Sequence, residues 1–115
     1  MTDNDKTYTP AYEENAMEFV RRIIAEQEDR EPLRIVEQLV EIAVGELKGR
    51  PYDISAAVSS KRMKVTLRHY GKPIDERMVL LMGDHTDHVY YTPDGDDAWK
   101  LVIRRDIPPL FVTRR

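Results

Sequence analysis

Apolar residues in the first third of the chain recur three and four positions apart. Ala16, Phe19, Val20, Ile23 and Ile24 fall on one helical face, with Glu18, Arg21, Arg22 and Glu26 on the other, the pattern of an amphipathic helix. Thr9 beside Pro10 predicts its start, because a threonine hydroxyl caps free amides and proline fits the first turn. Its end is predicted near Asp29. A second helix is expected from Pro32 to Lys48, stopped by Gly49 and Pro51. Val36, Val40, Ala43, Val44 and Leu47 form one stripe on it, and Ile35, Leu39 and Ile42 an adjoining one. So wide an apolar arc implies burial on two sides, against a sheet and against the first helix or a partner subunit.

After Pro51 the period changes to two. Ile54, Ala56 and Val58 alternate with Ser55, Ala57 and Ser59, and beyond a Ser-Lys turn Met63, Val65 and Leu67 alternate with Lys64, Thr66 and Arg68. This predicts an antiparallel hairpin with one buried face. Gly71-Lys72-Pro73 breaks the strand, and Ile74, Met78, Leu81 and Met82 mark a short third helix ended by Gly83. His88 to Thr92 and Trp99 to Arg105 flank Pro93-Asp94-Gly95-Asp96, predicting a second hairpin. Leu110-Phe111-Val112 is expected as a short edge strand. The fold class that follows is α+β, a two-layer sandwich with helices packed on one face of a mainly antiparallel four- to five-stranded sheet.

Composition narrows the function classes. At 115 residues, 41% hydrophobic and 34% charged, residues 1–8 are expected as a disordered N-terminal tail and 9–115 as a single domain. The lack of cysteine excludes a disulfide framework, a thiolate zinc site and a thiol nucleophile. Met-Thr-Asp-Asn-Asp-Lys has no apolar signal region and no stretch approaches the roughly 20 apolar residues of a membrane span, so a cytoplasmic protein with no membrane partner is expected. A formal charge of −3 places a nucleic-acid partner below a protein one.

The order of elements, with the segment Val36-Glu37-Gln38-Leu39-Val40-Glu41-Ile42-Ala43-Val44-Gly45-Glu46-Leu47, resembles the histidine-kinase-like ATPase fold, in particular its anti-sigma-factor serine-kinase branch. The resemblance implies a helix bearing a Glu-x-x-x-Asn pair, in which the acid activates a hydroxyl or water and the Asn holds magnesium. It also implies an Asp-x-Gly-x-Gly turn that receives adenine and a glycine-rich lid over the phosphates. Glu41 stands at the acid position, but Gly45 replaces the Asn and offers a metal no oxygen. His69 stands where the adenine-reading Asp belongs. Gly71 matches the first glycine and Pro73 replaces the second, while only Gly83 to Thr86 remain for a lid. Glu41, Gly45, His69 and Gly71 are therefore candidates for a degenerate ligand pocket, with no catalytic residue and no cofactor expected.

Two further groupings carry chemistry. His85, Asp87 and His88 offer imidazole and carboxylate suited to a transition metal, although so short a run converges on one ion only if the loop folds sharply; the plainer reading is a polar turn. Arg62, Lys64 and Arg68 on one strand, Lys100 and Arg104 on another, and Tyr90 near them form a basic, aromatic sheet face of the kind that binds single-stranded RNA. Alternating Lys, Arg and Thr also simply solvates a sheet. The expected function is a small non-catalytic regulatory or protein-interaction module on a degenerate ATPase-like scaffold, its partner a protein, with a homodimer included. The alternatives are an ATP-binding anti-sigma-type serine kinase and single-stranded RNA binding through the basic sheet face.

Overall fold

The computed structural model describes residues 5–108. Within them β1 (Lys6–Tyr8) precedes α1 (Ala16–Ala25), a 3-10 turn over Glu31–Leu33 runs into α2 (Arg34–Leu47), and β2 (Tyr52–Val58) and β3 (Arg62–Tyr70) form a hairpin. α3 (Glu76–Gly83) then leads into a second hairpin of β4 (His88–Pro93) and β5 (Ala98–Asp106). The five strands form one open sheet in the order β1-β2-β3-β5-β4, with every neighbouring pair antiparallel. This is the α+β class expected. No helix among the described residues is long and apolar enough to cross a membrane.

The alternation in β2 and β3 is realised as written. Ile54 pairs with Leu67, Ala56 with Val65 and Val58 with Met63, while across the sheet Val65 pairs with Ile103 and Leu67 with Leu101. These side chains are buried, and with Phe19, Val20 and Ile23 of α1 and Val36, Leu39 and Val40 of α2 they form one hydrophobic cluster. The two stripes of α2 are used unequally: Leu39 is buried, Ile35 half-buried and Ile42 exposed. Phe19 of α1 and Leu39 of α2 are both consumed inside the chain.

Three boundaries differ from expectation for local physical reasons. The tail expected over residues 1–8 contains β1, which pairs Lys6 with Val58 and Tyr8 with Ala56; Tyr8 is buried and its hydroxyl donates to Glu26 at 3.1 Å. Helix α1 begins at Ala16 rather than at Pro10, because Asn15 closes a capping box with Glu18 in which each side chain bonds the other's backbone amide. Upstream, Glu13 sits at φ 63°, outside any right-handed helix. Helix α3 starts two residues later than Ile74, where the Asp75 carboxylate accepts from the Arg77 amide at 2.9 Å. The Leu110–Val112 strand lies outside the described residues.

Because the capping box satisfies two amides at the exposed start of α1, Asn15→Ala is expected to lower the unfolding free energy by about 1 kcal/mol. Urea titration followed by circular dichroism measures it.

Candidate functional site

The end of α2 organises one side of the molecule. Lys48 adopts the left-handed conformation at φ 52° and Gly49 follows at φ 83°, turning the chain so that Arg50 faces the loop after β3. Its Nε donates to the Leu47 carbonyl at 3.0 Å, and its Nη1 to the carbonyls of Tyr70 at 3.3 Å and Lys72 at 2.7 Å. Gly71, between those two acceptors, has φ 82°, and a Cβ there would lie 3.7 Å from Arg50 Nη1. Glycine is required by the backbone angle, since the space itself admits a methyl group.

Below this pinned loop lies an open cleft of about 970 Å³. Ile74, Val79 and Leu80 supply an apolar wall, and Tyr91 and Trp99 an aromatic floor. The two rings stack at 5.1 Å between centroids. Its rim is mixed in charge, with Lys48, Arg50 and Lys72 against Glu46, Asp75 and Glu76. Leu80 is 64% exposed and its neighbour Leu81 50%, so α3 presents leucines to water beside the cleft.

The Tyr91 hydroxyl ties the floor to both the core and the loop. It accepts from the Ile74 amide at 2.7 Å and lies 2.7 Å from Nε2 of His69, whose ring stacks on that of Tyr91 at 5.8 Å. The hydroxyl and Nε2 share one hydrogen bond, whose donor is set by the imidazole tautomer. His69 is fully buried and its Nδ1 has no hydrogen-bond partner. Burial pushes the His69 imidazole below its ordinary value, opposed in part by the Tyr70 backbone, while the nearby Arg50 charge lowers it further. Burial likewise raises the Tyr91 phenol.

The four residues singled out for a degenerate pocket are divided by the structure. Gly71 lines the cleft and His69 sits one aromatic layer behind it, linked through Tyr91. Glu41 and Gly45 lie on the exposed side of α2, and a Cβ at Gly45 would meet nothing within 4 Å. Glu46, next along the helix, lines the cleft in their place. Sequence reasoning missed Arg50, Tyr91 and Trp99 as site residues. The single tryptophan on a strand face one row from a Gly-Lys-Pro loop was the signal available.

Of the metal candidates, Asp87 accepts from the Asp106 amide at 2.8 Å and lies 3.5 Å from Arg105, while His88 Nδ1 is 3.3 Å from the Tyr90 hydroxyl. His85 is exposed. No three metal-ligating groups converge among the described residues. The six nucleic-acid candidates, by contrast, share the outer face of the sheet: Lys64 pairs with Arg104, Arg68 with Lys100, Arg62 lies on the same side of β3, and Tyr90 pairs with Val102.

Compared with known proteins, the chain matches no family model and no curated sequence.

Two outcomes follow from the His69–Tyr91 pair. Removing the hydroxyl in Tyr91→Phe strands the Ile74 amide and His69 Nε2 together, with an expected loss of about 1–3 kcal/mol in urea unfolding. Because the folded imidazole holds its proton less tightly than the unfolded one, the unfolded chain takes up more protons once the pH falls below about 6.5. Stability present at neutral pH is therefore lost as the pH falls through that range towards the lowered folded value. Urea midpoints measured between about pH 7.5 and 5.5 are expected to fall, and to fall less steeply in His69→Gln.

Proposed function

We propose that this chain is a non-catalytic interaction module, built on a trimmed histidine-kinase-like ATPase scaffold, that docks an apolar side chain of a partner protein into the cleft beside α3. The observation that supports it is Leu80, exposed beside an aromatic-floored cleft whose rim is mixed in charge. A rim of three cations and three carboxylates does not favour a phosphate-rich ligand, whose charge the carboxylates would repel. It suits a polypeptide, which offers both charges around an apolar anchor. Phosphoryl transfer needs groups that hold magnesium and cradle phosphates; Gly45 gives no oxygen, Glu41 faces away from the cleft, and Arg50 fills the loop beside Gly71.

Peptides selected from a random display library against the full chain are expected to carry a single aromatic or leucine anchor and to quench or shift the emission of Trp99, which lines the site. Leu80→Glu is expected to weaken them at least tenfold without changing the circular dichroism spectrum. Magnesium-ATP is expected to leave the melting temperature unchanged. A magnesium-dependent rise would favour the serine-kinase reading instead, since ligand bound to the native state stabilises it in proportion to occupancy.

A further inference from the structure

The outer face of the sheet takes no part in the cleft. None of the side chains at Ser55, Ala57, Thr66, Val102 or His88 is buried, and Lys64, Tyr90 and Thr92 are exposed. Across this face Lys64, Arg104 and His88 stand directly opposite one another on three adjacent strands. Four residues further along β3, Arg68 stands opposite Lys100. Like charges at directly opposed sheet positions destabilise the pairing, and a sheet that needed only solvation would alternate their signs. Between the two basic rows lies an uncharged one, Ser55, Thr66, Val102 and Tyr90.

Little neutralises these cations internally. Arg68 is held by Asp94, with Nε at 2.8 Å from its carboxylate and Nη2 at 3.1 Å from its carbonyl. Arg104 Nε lies 3.2 Å from Asp106 yet is buried without a hydrogen bond of proper geometry. Arg62, Lys64 and Lys100 form no ion pair among the described residues. Three acids meet the five cations of this face: Asp94 at the turn, Asp53 opposite Arg68, and Asp106 opposite Arg62. Flat aromatic surface accompanies the charge. Tyr90 is 53% exposed, and its ring lies parallel to His88 with an interplanar angle of 4°. Tyr70, 40% exposed, has the Arg68 guanidinium over its ring.

We propose that this outer face binds single-stranded nucleic acid, with phosphates held along the Lys64–Arg104–His88 and Arg68–Lys100 rows and a base stacked on Tyr90. The arrangement separates this occupant from an acidic protein segment, because exposed aromatic planes beside the cations serve every base while a carboxylate-rich peptide has no use for them. An overall charge of −3 does not oppose it: the segment from Thr9 to Arg50 holds ten of the carboxylates against six cations, so the excess acid belongs to the helical part of the chain.

Fluorescence anisotropy of a labelled oligouridylate with the full chain is the test. Binding is expected at low salt and should weaken roughly 20-fold between about 50 and 200 mM, as about three released counterions require. The double variant Lys64→Glu, Lys100→Glu should weaken it at least tenfold, and the milder Lys64→Gln, Lys100→Gln pair separates lost charge from any lost fold. Tyr90→Ala should weaken oligouridylate at least fivefold while leaving retention on heparin unchanged. Absence of binding at low salt overturns the proposal. So does polyglutamate bound as tightly as oligouridylate with no effect of Tyr90→Ala, which would assign the face to an acidic protein segment.

Discussion

β3 pairs along its whole length with β2 on one side and β5 on the other, and successive side chains on it point to opposite faces. Met63, Val65, Leu67 and His69 consequently enter the core, while Arg62, Lys64, Thr66 and Arg68 face outward. A slip of one residue would exchange the two sets and bury four polar groups, three of them charged, which fixes the register far more firmly than backbone hydrogen bonding alone. Everything proposed for this molecule is downstream of that register. The aromatic floor of the cleft uses two inward rows, one through Tyr52, His69, Trp99 and Pro93 and one through Leu67, Leu101 and Tyr91, and the basic surface uses the outward rows.

The inward row carries an unusual load at its end. Where the core would be satisfied by another aliphatic side chain, it holds a fully buried imidazole whose Nε2 meets a tyrosine hydroxyl. That hydroxyl also takes the Ile74 amide, in the loop between β3 and α3. The loop between is fixed from the other side by Arg50, bonded to the carbonyls of Tyr70 and Lys72. The cleft wall is thus held by hydrogen bonds at both ends and by the packing of Ile74 and Met82 in the core, and Leu80 and Leu81 can remain exposed without loosening it. A rigid apolar surface of this kind lowers the entropic cost of docking a partner.

Element type and order were legible in the residues because period decides them: two in the hairpins, three to four in the helices. Boundaries were less so. Thr9-Pro10 has the composition of a helix start, yet Asn15 and Glu18 form a reciprocal cap that a lone threonine cannot match, and β1 exists because it pairs with Ala56 to Val58, far along the chain beyond both helices, rather than through any local pattern. The site divided along the same line. Gly71 stands out by its match to the first glycine of the resembled turn, and the basic residues by alternation, so both are found in sequence. Arg50, Tyr91 and Trp99 come from three separate segments, and only the sheet register and the turn after α2 bring them to one cleft. Glu41 and Gly45 enter as candidates through the resemblance to a Glu-x-x-x-Asn helix, and a motif position does not say what that helix face meets: both lie exposed, away from the cleft lining.

The separation of the two proposed binding surfaces by the parity of one strand is tested most directly by amide chemical-shift mapping of the ¹⁵N-labelled full chain, titrated with a display-selected peptide. The account predicts perturbations at Gly71, Ile74, Val79 and Leu80 and at the Trp99 indole, with Lys64, Thr66 and Val102 unmoved. Shifts centred on those outward residues, or on Glu41 and Gly45 along α2, would contradict it.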